Sequence, residues 1–251
     1  MKKLVVFLLC VMFAMVLAGC GGTTKEKTAE KVLKVATDAN FPPYEYYQEK
    51  TKVHTGFDIG LMNALAKEMG YTKVEYINVD FKEILSGLNM KKYDAAIAAI
   101  TLSPERVKKA AFSQAYLQDS YRVVVAKNAN DKFSLQGKTV AVEEGSYSAD
   151  LAIANGAAKL LPVKDAEAAL IAAGEGVADC AVLSSVVTRF YIAHGYGDKV
   201  KFADEKELLA DEIGIAVAKD NIALANEFNK ALAKLRRSGE YKIIYNSYFG
   251  A

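Results

Sequence analysis

The amino-acid sequence predicts an α/β fold in two halves, each a mostly parallel sheet flanked by helices. Three observations carry this. Apolar runs such as Ala95–Ile100 and Ala178–Leu183 are short and unbroken, as in strands buried on both faces of a parallel sheet. Segments of helical spacing alternate with them in βα order. Around Ala115–Arg122 that series breaks, and a second one begins further along.

Taken in order, the chain opens with Lys2 and Lys3 ahead of an apolar run, Leu4–Ala18. A basic start, an apolar stretch and small residues at the cut read as a secretory signal, too short and wrongly flanked for a stable span. Its end, Leu17-Ala18-Gly19-Cys20, resembles the lipobox of bacterial lipoproteins. That resemblance implies removal of residues 1–19 as a signal peptide and fatty acylation of the Cys20 sulfur, with palmitate as the expected chain. Residues 20–31 follow as a polar, Lys/Glu/Thr-rich flexible tether.

Val32–Ala36 alternates into a strand ending at Thr37-Asp38, and an aromatic loop stiffened by Pro42 and Pro43 follows. Asp58–Met69 has helical spacing, with Gly70 placed as its stop. Val74–Val79 is a strand, and Phe81 opens a helix with Ile84, Leu85 and Leu88 toward the core. After the strand Ala95–Ile100, Ser103 reads as an N-cap with Pro104 at the first helical position and Glu105 in a favourable first turn. Arg106 breaks the pattern, because a cation there opposes the helix dipole. With Thr101 and the free amides it would form a carboxylate pocket beyond the strand ends; a surface Arg paired with a nearby acid is the plainer alternative.

The second series reads as β-rich Tyr121–Ala126, a strand at Thr139–Val142, helices at Ser146–Asn155 and Ala166–Ala173, and the buried strand Ala178–Leu183. A helix at Ser185–Ala193 stopped by Gly195 and a strand at Ile213–Ala218 follow. Beyond Asn221 an amphipathic helix carries Leu224, Phe228, Leu232 and Leu235 on one face. Ala115–Arg122 and Ala210–Gly214 are the expected crossings between the halves.

Composition narrows the function. The formal net charge is +2, and losing Lys2 and Lys3 leaves the mature chain near neutral. No basic stripe with interleaved aromatics is present, so nucleic acid is not an expected partner. Two His and no metal-ligand spacing argue against a metal site, and Glu143-Glu144-Gly145-Ser146 lacks the Lys of a phosphate loop. Once Cys10 is removed and Cys20 acylated, Cys180 is the remaining thiol, so no internal disulfide is expected.

Several motifs in order carry a family resemblance. They are Leu33 through Asp38, Phe41-Pro42-Pro43-Tyr44-Glu45, Gly56-Phe57-Asp58-Ile59, Asp94 through Ile100, and Ser103-Pro104-Glu105-Arg106 with Phe112-Ser113 six residues on. The closing Gly239-Glu240-Tyr241, Ile244-Tyr245 and Tyr248-Phe249 belong to the same set. Together they resemble bacterial extracellular solute-binding proteins of the polar amino-acid type. The resemblance implies a two-lobed periplasmic-binding-protein clamshell with two hinge crossings. Lobe one would comprise residues 32–118 and 214–251, and lobe two residues 119–213. It further implies a monomer that traps a small amino acid or related cation-bearing carboxylate and delivers it to an ABC transporter permease. Neither cofactor nor catalysis is implied. The protein would be exported and lipid-anchored on the outer face of the cell membrane, or on the periplasmic face of a two-membrane envelope.

Residue by residue, Arg106 matches the family's grip on the ligand α-carboxylate, with the Thr101 hydroxyl beside it. Ala99 stands where a backbone carbonyl meets the α-amino group. Phe41 and Phe81 match aromatics that sandwich the ligand side chain, although core packing is the ordinary role of a Phe. Asp38 matches an acid at the cleft edge, or a loop Asp. Ser146 matches a hydroxyl that closes onto the carboxylate, or is only an N-cap. Two departures stand out. The family carries an acid at the carboxyl end of the strand Ala178–Leu183, for the α-ammonium; here Leu183-Ser184-Ser185 follows. Tyr147 replaces a small residue, and Glu143 adds a carboxylate close by. Asp38 and Glu143 are the expected substitutes for the lost acid. Exported cyclohexadienyl dehydratases resemble the same family, but Ser185–Phe190 lacks the acid that their chemistry requires. A sensor that kept the fold and lost transport is the third reading.

Overall fold

The computed structural model describes residues 30–130, 133–204 and 206–250. The signal stretch, Cys20 and most of the tether lie outside them. Strand β1 (Val32–Thr37) buries Leu33 and Val35 around an exposed Lys34, the alternation its sequence shows. The aromatic loop then forms three short strands, β2 (Asn40–Phe41), β3 (Glu45–Gln48) and β4 (Val53–Thr55), in a small antiparallel sheet. Helix α1 (Phe57–Glu68) starts at Gly56, with φ of 118°; a Cβ there would stand 2.2 Å from the Tyr44 carbonyl oxygen. Strand β5 (Lys73–Asn78), a 3-10 turn at Phe81–Glu83 and helix α2 (Ile84–Asn89) complete the first βα units.

The next strand is shorter than the apolar run suggests. Strand β6 is only Ala95–Ala96, and the chain turns at Ala99, which takes a left-handed φ of 44°. Burial alone keeps Ile97–Ile100 apolar, so the run reads as strand although the ladder has ended. Helix α3 (Pro104–Lys109) begins with the expected cap: the Ser103 hydroxyl accepts the Arg106 N–H at 3.4 Å. Strand β7 (Ala111–Phe112) and the long β8 (Leu117–Ala126) follow.

The second sheet grows from β8 with β9 (Thr139–Glu143), helix α4 (Tyr147–Ala154), β10 (Lys159–Val163), helix α5 (Ala166–Gly174), β11 (Cys180–Ser184) and helix α6 (Ser185–Tyr191). Gly195, at φ of 109°, ends the wide turn Ile192–Tyr196 beyond α6. Then come β12 (Val200–Phe202), β13 (Leu209–Ile213), β14 (Ala216–Val217), and helices α7 (Ile222–Ser238) and α8 (Glu240–Phe249). Helix α7 buries the expected stripe of Leu224, Phe228, Leu232 and Leu235 against the first sheet, and Asn221 caps it.

The fold is two-lobed and each lobe is built on a mixed sheet. The first sheet has the order β5-β1-β6-β14-β7, and the second β10-β9-β11-β8-β12 with β13 on β8. Pairing is parallel where βα units build the sheet (β5-β1-β6 and β10-β9-β11) and antiparallel where the crossing strands join. The expected strand Ile213–Ala218 is divided at Gly214: β13 pairs with β8 in the second sheet, whereas β14 returns to the first. The chain thus passes between lobes on two strands hydrogen-bonded to each other, from Leu117↔Ile213 to Tyr121↔Leu209.

Candidate functional site

In each lobe the parallel strands end at the same edge, and these edges face one another. On the lobe-one side, Asp38 follows β1 directly, and its carboxylate accepts the Phe81 N–H at 3.0 Å. That bond seats the Phe81 ring below the Arg106 guanidinium, 5.0 Å away. Arg106 turns off the first turn of α3 into the cleft, where it donates to the Thr101 carbonyl at 3.3 Å and the Gly145 carbonyl at 3.2 Å. Its remaining N–H groups leave donors for an incoming carboxylate. Ala99 is held in its left-handed turn by Asp58, which accepts its N–H at 2.9 Å and the Tyr116 hydroxyl at 2.7 Å.

On the lobe-two side, Glu143 is the last residue of β9, and α4 starts four residues later. Ser146 occupies the cap position, yet its buried hydroxyl makes no capping bond and has no partner. Ser184 differs: its hydroxyl accepts the Val187 N–H at 3.1 Å, capping α6, and donates to the buried Asp119 carboxylate. Thr101 is fully buried and pairs with the Tyr121 hydroxyl at 3.1 Å.

The lobes touch across the cleft through the Lys82–Glu144 ion pair at 2.8 Å, the Arg106–Gly145 bond and the Tyr46 and Phe190 rings, 6.2 Å apart. Between them lies a narrow cavity. Every site residue expected from the sequence lines it except Thr101: Asp38, Phe41, Phe81, Ala99, Arg106, Glu143, Ser146, Tyr147 and Ser184. Thr101 instead sits behind the wall, because the chain there bridges to Ile213 and turns its hydroxyl to Tyr121. Sequence reasoning missed Asn40, Glu45, Ala98, Tyr121, Ser148 and Leu183 as lining residues. Glu45 had a signal, an acid inside an aromatic loop. Tyr44, in the same loop, is wholly buried against Phe41 and Phe249.

The electrostatics are set by burial. Asp38 and Glu143 are both 6% exposed. Burial, only partly offset by the Phe81 N–H, raises Asp38 to about 6. Burial and the negative charge of Asp38 raise Glu143 to about 8. Burial pushes Glu45 well above the carboxylate range, and its hydrogen bond to Asp58 adds to the rise. A cation brought into the cavity would meet the carboxyls of Asp38 and Glu143, with the Arg106 guanidinium in the same lining.

Comparison with known proteins identifies the family. A probable histidine-binding protein of Neisseria gonorrhoeae is 30% identical over 94% of this chain and 91% of its own length. The arginine-binding extracellular protein ArtP of Bacillus subtilis is 27% identical over 99% of this chain and 98% of its own. Among solved structures, an ancestral arginine-binding protein bound to glutamine superposes with a TM-score of 0.81 at 33% identity, covering 88% of this chain and 99% of that one. These relatives are binding proteins rather than enzymes. Residues 33–251 match the family of bacterial extracellular solute-binding proteins, family 3, and the chain belongs to that family.

Proposed function

We propose that this protein is the capture subunit of an ABC importer for an amino acid with a cationic side chain, of the arginine or histidine type. The observation that carries the reading is the charge layout of the cavity. Arg106 supplies one fixed positive charge, and Asp38 and Glu143, one from each lobe, supply two negative ones when ionised. The empty cavity is then one charge short of neutrality, which a ligand with one carboxylate and a net charge of +1 restores. Arg106 and the unpartnered Ser146 hydroxyl at the start of α4 receive the carboxylate. Phe41 and Phe81 flank the aliphatic part. The names of the relatives, arginine- and histidine-binding proteins, point the same way.

Capture works by hinge closure, with β8 and β13 as the crossing strands between residues 32–118 with 214–251 and residues 119–213. The protein acts as a monomer, anchored through lipid on Cys20. Replacing Cys20 with Ser is expected to release it from the membrane or leave it unprocessed; a soluble wild-type chain that takes up no labelled lipid contradicts this. The ligand reading is tested by calorimetric titration with the common amino acids. Arginine, lysine or histidine is expected to bind and shrink the radius of gyration, while citrulline and glutamate bind weakly. Glutamate or neutral amino acids binding as tightly as the cationic ones overturns it.

A further inference from the structure

We infer that Asp58, which lies outside the cavity, is a positioning residue for ligand binding: it fixes the Ala98–Ala99 peptide of the cavity wall in a left-handed turn that alanine does not favour. Ala98 and Ala99 both line the cavity. Their side chains carry no polar atom, so peptide groups are what this part of the wall offers a ligand. Where those groups point depends on the turn. Ala99 takes a φ of 44°. That region suits glycine, and for alanine it is disfavoured by the equivalent of about tenfold in population. A turn of this kind persists only where its surroundings hold it.

The sheet holds the chain as far as Ile97, whose N–H is donated to the Ala36 carbonyl at 3.1 Å. Two residues on, the Ala99 N–H goes instead to Asp58 Oδ2, at 2.9 Å. The same oxygen accepts the Tyr116 hydroxyl at 2.7 Å. Asp58 is fully buried in the first turn of α1 and is not part of the lining. Tyr116 is just as buried and is itself fixed: its N–H is donated to the Ile213 carbonyl at 2.9 Å, and its carbonyl accepts the Tyr241 hydroxyl at 2.6 Å. In a trans peptide the N–H and the preceding C=O point in opposite directions. Binding the Ala99 N–H to an acceptor behind the wall therefore turns the Ala98 carbonyl away from Asp58, and the φ imposed at Ala99 sets the direction of the next carbonyl. Without that acceptor a buried N–H is left unpaired and the alanine relaxes toward negative φ, which rotates both peptide groups.

The test is a double-mutant cycle on the full chain. Affinity is read by calorimetry for whichever of the twenty common amino acids binds the wild type most tightly, with the melting temperature read beside it. Asp58→Ala is expected to weaken binding by about tenfold or more. Glycine adopts the left-handed turn without strain, so Asp58→Ala added to Ala99→Gly is expected to cost less than about threefold beyond Ala99→Gly alone. Asp58→Asn offers one oxygen to the same two donors and is expected to bind within about threefold of the wild type. Equal losses in the two backgrounds overturn the inference, whatever the melting temperatures do, because general destabilisation is indifferent to residue 99. Asp58→Asn losing as much as Asp58→Ala assigns the effect to charge and overturns it too, as does full affinity in Asp58→Ala. If Asp58→Ala does not fold, Ala99→Gly is expected to restore a folded, binding chain, and a double variant that stays unfolded overturns the inference. If the tightest amino acid carries no side-chain cation, the reading of the ligand above fails while the cycle still decides the role of Asp58.

Discussion

Raising the pH from 6 to 8 is expected to tighten the binding of arginine, and Glu143 is the reason. In the empty protein Glu143 stands at about 8, against an ordinary value of 4.5, so at pH 6 it holds a proton. The positive charge of a guanidinium seated beside Glu143 and Asp38 offsets that rise, so the bound state carries fewer protons than the empty one. Affinity therefore increases with pH wherever the empty site must give up its proton, and levels off once the pH passes the empty-site value. At about 1.4 kcal/mol per pH unit, the two units between pH 6 and 8 set an upper bound of about 2.7 kcal/mol, or about a hundredfold. The sign for stability is opposite. The empty folded protein binds more protons than the unfolded chain between 4.5 and about 8, so its stability falls as pH rises through that window. Titration calorimetry in buffers of different ionisation heat reads both quantities, affinity and protons released. Close to one proton released near pH 7 is expected for the wild type, and almost none for Glu143→Gln. A flat or falling affinity over this range, or an unchanged slope in Glu143→Gln, would refute the assignment of Glu143 to the cation.

Arg106→Ala removes one partner of a buried charge pair, a loss of about 3–5 kcal/mol, so binding is expected to weaken by about two to four decades. Arg106→Lys recovers only part, because the ammonium lacks the forked geometry; full affinity in the alanine variant would place the carboxylate elsewhere. Ser184→Ala separates stability from recognition. Losing the α6 cap costs about 1 kcal/mol, with more from the unpaired Asp119, so the melting temperature drops while affinity changes by less than about threefold. A large loss of affinity with unchanged melting would make Ser184 a ligand contact. Lys82→Ala breaks the ion pair with Glu144 across the cleft mouth and is expected to shift the empty protein toward a larger radius of gyration in scattering, an effect that salt reproduces in the wild type.

Much of the fold was legible because its signals are short in range. The cap at Ser103, the proline at the first turn of α3, the stripe on α7 and the buried runs around Ala95 and Ala181 each depend on residues a few positions apart. The same terms exposed Arg106 as a cation in the wrong place on its helix. Tertiary structure alone decided what stands around it. Local sequence could not show that Asp38 at the end of β1 and Glu143 at the end of β9 face one cavity, because they lie in different sheets and meet only through contact between lobes. Nor could it show Thr101 turned to Tyr121, Ser184 committed to Asp119, or Glu45 held by Asp58. A hydroxyl or carboxyl at a strand end has several partners within reach, and sequence leaves the choice open. Long-range packing makes that choice, because a buried polar group must find its partner among the neighbours the fold brings to it.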